Sequence, residues 1–164
     1  AFLLSVKLSL IATGVCILLS YPLALIIRGL HIRSNGIIIF IFILPMWMNF
    51  LLRTMAWQSL LEKTGIINTF LGFFGIPALK MINTEGAIIL GMVYNFLPFM
   101  VLPIFNSLVK ISEDTLNAAR DLGANERQVF SRIIFPLTFP GMVSGITMVF
   151  VPALTTFVDR KSVV

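Results

Sequence analysis

The chain has 164 residues, 58% hydrophobic and only 12% charged, with a net charge of +5 and a mean hydropathy of +1.00. A soluble domain carries about a quarter charged residues, so there are too few polar groups here to cover a globule in water, and lipid is the expected solvent. The basic residues are scattered between apolar runs rather than gathered on one face. That pattern argues against a nucleic-acid surface and suits loop and interface anchors.

A helix needs roughly 20 apolar residues to cross a bilayer, and a charge at mid-span costs about 2.5–3.5 kcal/mol. Charge-free stretches therefore mark the spans. The first is 8–27. The apolar run that opens the chain is too long for a signal peptide and has no early small-residue cleavage pattern. Apolar sequence begins almost at once and the chain ends abruptly, so it reads as a fragment of a longer protein. Cys16 lies in the first span, with no disulfide partner and no CxxC spacing for a metal. It reads as a small packed or lipid-facing residue. The basic stretch 28–33 follows, and its lone His31 cannot build a metal site.

The second span starts from the charge-free run 36–52, which is a little short, and continues past Arg53 to give a span of 36–58. Residues 53–85 are mixed. Trp57 and Lys63 read as interface anchors. Residues 65–79 are apolar but punctuated by Gly72, Gly75 and Pro77. Backbone left unpaired in lipid is too costly for such a broken stretch, so a short helix lying at the surface is expected rather than a further span. The third span is 86–109. The fourth is 137–158, with Pro136 and Pro140 marking its start. Pro22, Pro45, Pro98, Pro103 and Pro152 fall within spans. They fit either ordinary membrane-helix irregularity or a bundle that must flex. The expected fold is an all-α, polytopic membrane bundle of about four transmembrane helices in a single domain. Orientation is not decided by charge, because alternation of the loops divides the basic residues evenly between the two sides.

Residues 110–132 form the one densely charged loop: Lys110, Glu113, Asp114, Arg120, Asp121, Glu126, Arg127 and Arg132. Ser112 suits an N-cap, with Glu113 and Asp114 in the first turn, where the helix dipole favours acids. Leu116, Ala119 and Leu122 follow at helical spacing, and Gly123 suits a helix stop. Asn125 and Gln128 then make a capping-box pattern for a second helix, with Val129, Phe130 and Ile133 on its apolar face and Pro136 at the turn into the last span. The loop reads as helix, Gly corner, helix, with Ala118 and Ala119 near its tip. A solvated connector is one reading. A docking element is the other, because connectors are usually short and small residues let a partner approach closely.

Asn117-Ala118-Ala119-x-x-x-Gly123, followed after nine residues by Ile133-x-Phe135-Pro136, resembles the EAA loop of bacterial ABC importer permeases. The family pattern is Glu-Ala-Ala-x-x-x-Gly, then Ile-x-Leu-Pro at this distance. Asn117 stands for the usual Glu and Phe135 for the usual Leu. Residues 5–28, 44–57 and 93–103 are similar to the spermidine/putrescine permease branch, B-subunit type. The resemblance implies a MetI-like helical bundle in the bacterial inner membrane, whose coupling loop, 110–136, docks a separate ATPase through Asn117, Ala118, Ala119, Gly123, Ile133 and Pro136. It also implies a second, different permease subunit and an extracytoplasmic substrate-binding protein. The family has a further span after the fourth one here and usually one before the first.

No Gly-x-x-x-x-Gly-Lys-Ser/Thr loop is present, so ATP hydrolysis is expected in the partner, with no catalytic residue, metal or cofactor in this chain. Buried carboxylates are an expected feature of a polyamine path, yet none of the four spans contains Asp or Glu. Aromatic faces attract ammonium groups, which makes Trp47, Trp57 and Tyr94 candidates, with Asn49 and Asn95 as polar partners. Each also fits plain packing or interfacial anchoring. An importer of another small solute is the alternative. A secondary transporter or an intramembrane enzyme would need ionisable groups inside the spans, and those are not seen.

Overall fold

The computed structural model describes residues 2–29, 35–80, 82 and 84–162. Every regular element among them is helical: α1 (Phe2–Gly29), α2 (Asn35–Trp47), α3 (Phe50–Leu61), α4 (Ile66–Phe73), α5 (Glu85–Val109), α6 (Glu113–Asp121), α7 (Glu126–Val129) and α8 (Phe135–Ser162). Of the basic stretch 28–33, Arg28 and Gly29 are described. His31 and Arg33 lie outside the described residues.

Three helical segments are long and apolar enough to cross a membrane: Phe2–Gly29, Glu85–Val109 and Glu126–Thr156. They form the body of the fold, with α1 and α8 packed on α5 and touching each other. Lipid tails are as apolar as leucine, so such helices associate by close packing and by satisfied polar groups. Small residues make up most of the buried face of α1, Ser5, Ser9, Ala12, Thr13, Cys16, Ser20 and Ala24, beside the larger Leu8, Tyr21 and Ile27. The Thr13 hydroxyl donates to the Ser9 carbonyl at 2.7 Å and the Ser20 hydroxyl to the Ile17 carbonyl at 3.4 Å, whereas the buried Ser9 hydroxyl has no hydrogen-bond partner among the described residues. Cys16 is fully buried, its thiol 3.9 Å from the Val93 carbonyl. From α5 come Met100, Val101, Ile104 and Leu108, and from α8 Val149 and Ala153. Gly141 lets α8 close on α5: a Cβ there would meet the Pro103 carbonyl oxygen at 2.6 Å. The other side of α1 exposes Leu10, Leu18 and Ile26, the apolar surface expected against lipid.

The stretch 36–58 is not one straight helix. α2 stops at Trp47, and α3 starts at Phe50 with Asn49 as its N-cap. The two halves meet at a bend of 95°. At the bend the Asn49 side chain accepts from the Leu51 N–H at 3.0 Å, capping the helix that starts there. Beyond the bend, α4 is the short helix expected between Gly65 and Leu79. Its buried Asn68 ties down the irregular segment that follows, exchanging hydrogen bonds with both the N–H and the carbonyl of Leu79.

Pro136 does not mark a turn. From Glu126 the chain runs as one continuous helix to Thr156, with residues Phe130–Ile134 in a π-helical turn just before Pro136. Proline lacks an N–H and its ring clashes with the carbonyl four residues back, here that of Arg132. The wider π turn includes Arg132, and the Phe135 N–H bonds to the Phe130 carbonyl, so the proline is absorbed without a break.

Candidate functional site

Two places concentrate polar chemistry: the loop between α5 and α8, and the cleft beside the α2–α3 bend.

In the loop, Ser112 caps α6 by accepting from the Thr115 N–H at 3.3 Å. Asn125 and Gln128 form a reciprocal capping box on α7, each bond 3.0 Å. Between them Gly123 has φ 87°, the left-handed region that a side chain with Cβ disfavours. Its N–H bonds to the Arg120 carbonyl, and the next N–H, from Ala124, to that of Ala119. The corner is braced on its surface as well. Arg120 donates to both carboxylate oxygens of Glu126, at 2.8 and 3.3 Å, and to the Asn117 side-chain oxygen at 3.1 Å. The hydrogen bond and charge of Arg120 hold the Glu126 carboxyl below its usual range, and the same pair raises Arg120 further.

The loop's faces differ from the sequence expectation. Leu116 is buried and Ala119 half-buried against the core, but Leu122 is 89% exposed. Each three-residue step falls about 60° short of a full turn, so the 116–119–122 series has drifted about 120° by Leu122. Asn117, Ala118 and Leu122 are all exposed, with Gly123, also exposed, at the corner. Ala119 faces inward. Ile133 is half-buried against the core, and Pro136 is exposed at the second position of α8.

The second place is a cleft of about 570 Å³ lined by α3, α5 and Thr156 of α8, with Arg53, Thr54, Trp57, Gln58, Asn95 and Phe99 among its walls. Arg53 dominates it. One guanidinium nitrogen donates to the Asn95 side-chain oxygen at 2.8 Å. The other donates to the Pro45 carbonyl and, at 3.2 Å, to that of Met48. Those two carbonyls lie at the end of α2, where helical partners run out. Arg53 thus satisfies the broken end and ties it to the middle of α5. Its importance was missed in the sequence, where it looked like a charge at the edge of a span. A basic residue a few positions beyond a Pro…Asn break was the available signal.

Of the candidate path residues, the structure brings Trp57 and Asn95 together on the cleft wall. Tyr94 stands behind Trp57, ring centroids 5.1 Å apart and edge-on. Trp47, 83% exposed at the end of α2, and Asn49, engaged as a cap, are not among the lining residues. No carboxylate lines the cleft among the described residues. Nor do those residues gather a His, Cys, Asp or Glu cluster able to hold a metal ion.

Comparison with known proteins places this architecture. Residues 17–158 match the family described as binding-protein-dependent transport system inner membrane component. The chain is 41% identical over 155 residues to the spermidine/putrescine transport system permease protein PotB of Haemophilus influenzae, covering 93% of this chain and 54% of that protein. It is 40% identical to the Escherichia coli K12 protein of the same name, covering 93% and 56%. It is also 34% identical over 128 residues to the inner membrane ABC transporter permease protein YdcU of Escherichia coli K12, covering 70% and 41%. The chain thus spans about half the length of these relatives. With a match over most of its residues, the chain belongs to the family of binding-protein-dependent transport system inner membrane components.

Proposed function

We propose that this chain is the membrane-spanning part of a permease subunit in an ATP-driven importer, and that the importer carries polyamines of the spermidine/putrescine class. The observation that carries the first half is the self-capped loop, which offers Asn117, Ala118 and Leu122 at a Gly123 corner outside the apolar helices. A rigid, capped helix can carry a push from a docked ATPase into α5 and α8, to which it is joined. The loop then faces the cytoplasm, and α4 with its flanking residues lies on the other side. The chain itself is non-catalytic. ATP hydrolysis falls to the docked subunit, a second permease completes the translocation pathway, and an extracytoplasmic binding protein delivers the solute.

The polyamine half rests on the 41% identity to a protein named as a spermidine/putrescine permease. In this reading the cleft beside the bend is part of the pathway, with Trp57 and Tyr94 offering aromatic faces to an ammonium group and Asn95 an oxygen. A different small solute is the second reading, and Arg53 is the observation that favours it. A fixed guanidinium in a wall without carboxylates repels a polycation.

The test is uptake in cells carrying the full-length permease with its ATPase, partner permease and binding protein. Labelled spermidine, putrescine and an unrelated solute are compared. Uptake of only the unrelated solute refutes the polyamine reading. In the same cells Gly123→Val should reduce co-purification of the ATPase or transport while leaving membrane insertion intact, because φ 87° is unfavourable for a β-branched residue. Normal transport and normal co-purification with that variant would remove the docking reading.

A further inference from the structure

The loop is held from an unexpected direction. α5 and α8 are its covalent neighbours, yet two side chains of α1 grip it at both ends. Arg28 donates through one guanidinium nitrogen to the Ile111 carbonyl at 2.9 Å and to Glu113 Oε1 at 3.1 Å. Ile111 is buried, and its own N–H is bonded to the Leu108 carbonyl. Arg28 therefore grips the joint at which α5 hands over to α6. The Arg28 side chain is 13% exposed and that of Glu113 55%, so this is not a pair of freely solvated charges. Seven residues earlier, about two turns along the same face of α1, the Tyr21 hydroxyl is 2.8 Å from the fully buried Thr138 Oγ1. The Tyr21 ring stands edge-on to Phe130 at 5.8 Å, in the π turn through which α7 passes into α8.

A connector that only joined α5 to α8 would need neither attachment. Both come from a helix far away in sequence, and they bracket the docking surface on either side. The two differ in kind. Tyr21 packs within the apolar bundle. Arg28 holds α6 itself, by a directional, charged grip on a backbone carbonyl and on an acid in the first turn of α6.

We propose that Arg28 is a positioning residue for energy coupling: it locks α6 to α1, so that a displacement of α6 by the ATPase moves α1 together with α5 and α8. This rests on the reading of the loop as the ATPase docking element. Without the lock α6 can swing on its joint at Ile111, and the ATPase can cycle without driving the bundle. Arg28 touches neither solute nor nucleotide in this scheme. Its effect is on how much transport each hydrolysis event yields.

The experiment uses the complete transporter in proteoliposomes, measuring spermidine delivered and ATP hydrolysed in the same vesicles. Arg28→Gln should retain the ATPase and hydrolyse ATP in response to loaded binding protein, while spermidine delivered per ATP falls roughly five-fold or more, the scale of a typical coupling energy. Glu113→Gln, which keeps the Ile111 bond, should lower the ratio less. Arg28→Lys should recover part of it, since the ammonium keeps the charge but sits on a shorter stem and lacks the planar guanidinium that aims one nitrogen at both acceptors. A variant that merely lost stability would lower transport and hydrolysis together and leave their ratio alone. An unchanged ratio in Arg28→Gln overturns the proposal. If that variant fails to assemble, Glu113→Gln decides, and an unchanged ratio there overturns it. Failure of the wild-type permease to retain any ATPase would refute the docking reading instead.

Discussion

Arg53→Met is the most direct perturbation of the bend. It keeps an apolar stem and removes a guanidinium bonded to three oxygens, those of Pro45, Met48 and Asn95. Hydrogen bonds to charged groups are worth about 1.5–3 kcal/mol each in soluble proteins, but interhelical bonds in membranes average about 0.6 and reach about 1.7 kcal/mol. Using the membrane values, loss of all three predicts destabilisation of about 2–5 kcal/mol. That is a large part of the 5–15 kcal/mol that typically holds a domain together. Arg53→Lys should fall between, because an ammonium cannot bridge the set. Asn95→Leu removes one acceptor and should cost about 0.6–1.7 kcal/mol. The assay is unfolding of the full-length permease by SDS in mixed micelles, followed by tryptophan fluorescence, since Trp57 packs beside Tyr94 in the same wall. An Arg53→Met variant within about 0.5 kcal/mol of wild type, the usual spread for surface substitutions, would refute the reading of Arg53 as the staple of the bend.

The remaining expectations concern packing and pH. Gly141→Ala places a methyl group 2.6 Å from the Pro103 carbonyl oxygen, so α5 and α8 must separate, at about 1–3 kcal/mol in the same unfolding assay. Gly14→Ala, with nothing within 4 Å of the new atom, should be neutral or slightly stabilising, and equal costs at the two positions would contradict the packing described. In the loop, Arg120 lowers the Glu126 carboxyl, so the pair's contribution is complete above the ordinary glutamate value of about 4.3. It is lost as pH falls through the lower folded value. Amide exchange across residues 117–129, corrected for its intrinsic pH dependence, should therefore rise on strong acidification in wild type and show no such step in Glu126→Gln.

What could be read in advance follows from the range of the interactions involved. The charge-free runs that became α1 and α5 were legible because lipid penalises each buried charge separately, residue by residue. The caps at Ser112 and Asn125 and the corner at Gly123 were legible for a similar reason: a cap reaches only two or three residues, and a positive φ is a property of one. The bend was not. Asn49 becomes a cap only if the backbone has already broken, and the freed carbonyls are tolerable only because Arg53 reaches back to them and across to Asn95, 42 residues on. Leu122 misled because a three-residue spacing imitates a helical face for one step and leaves it by the second. Pro136 misled because the π turn that accommodates it carries no composition of its own. Arg28 looked like one more interface anchor, and its partners Ile111 and Glu113 lie more than 80 residues away.

The capped corner also bears on how quickly an assembly of this kind can form and come apart. Ser112 and Asn125 close both helix starts, and Gly123 fixes the angle between them before anything arrives. A segment that folds on contact loses part of its interaction energy to ordering. This one is already ordered, so in the proposed docking reading a contact through Ala118 and Leu122 carries no such ordering cost. Recognition of a preformed surface proceeds at about 10⁵–10⁷ M⁻¹s⁻¹, limited by orientation rather than by folding. In the proposed docking reading the loop is a plug of fixed shape, on which a motor subunit could be exchanged while the helices in the membrane stay as they are.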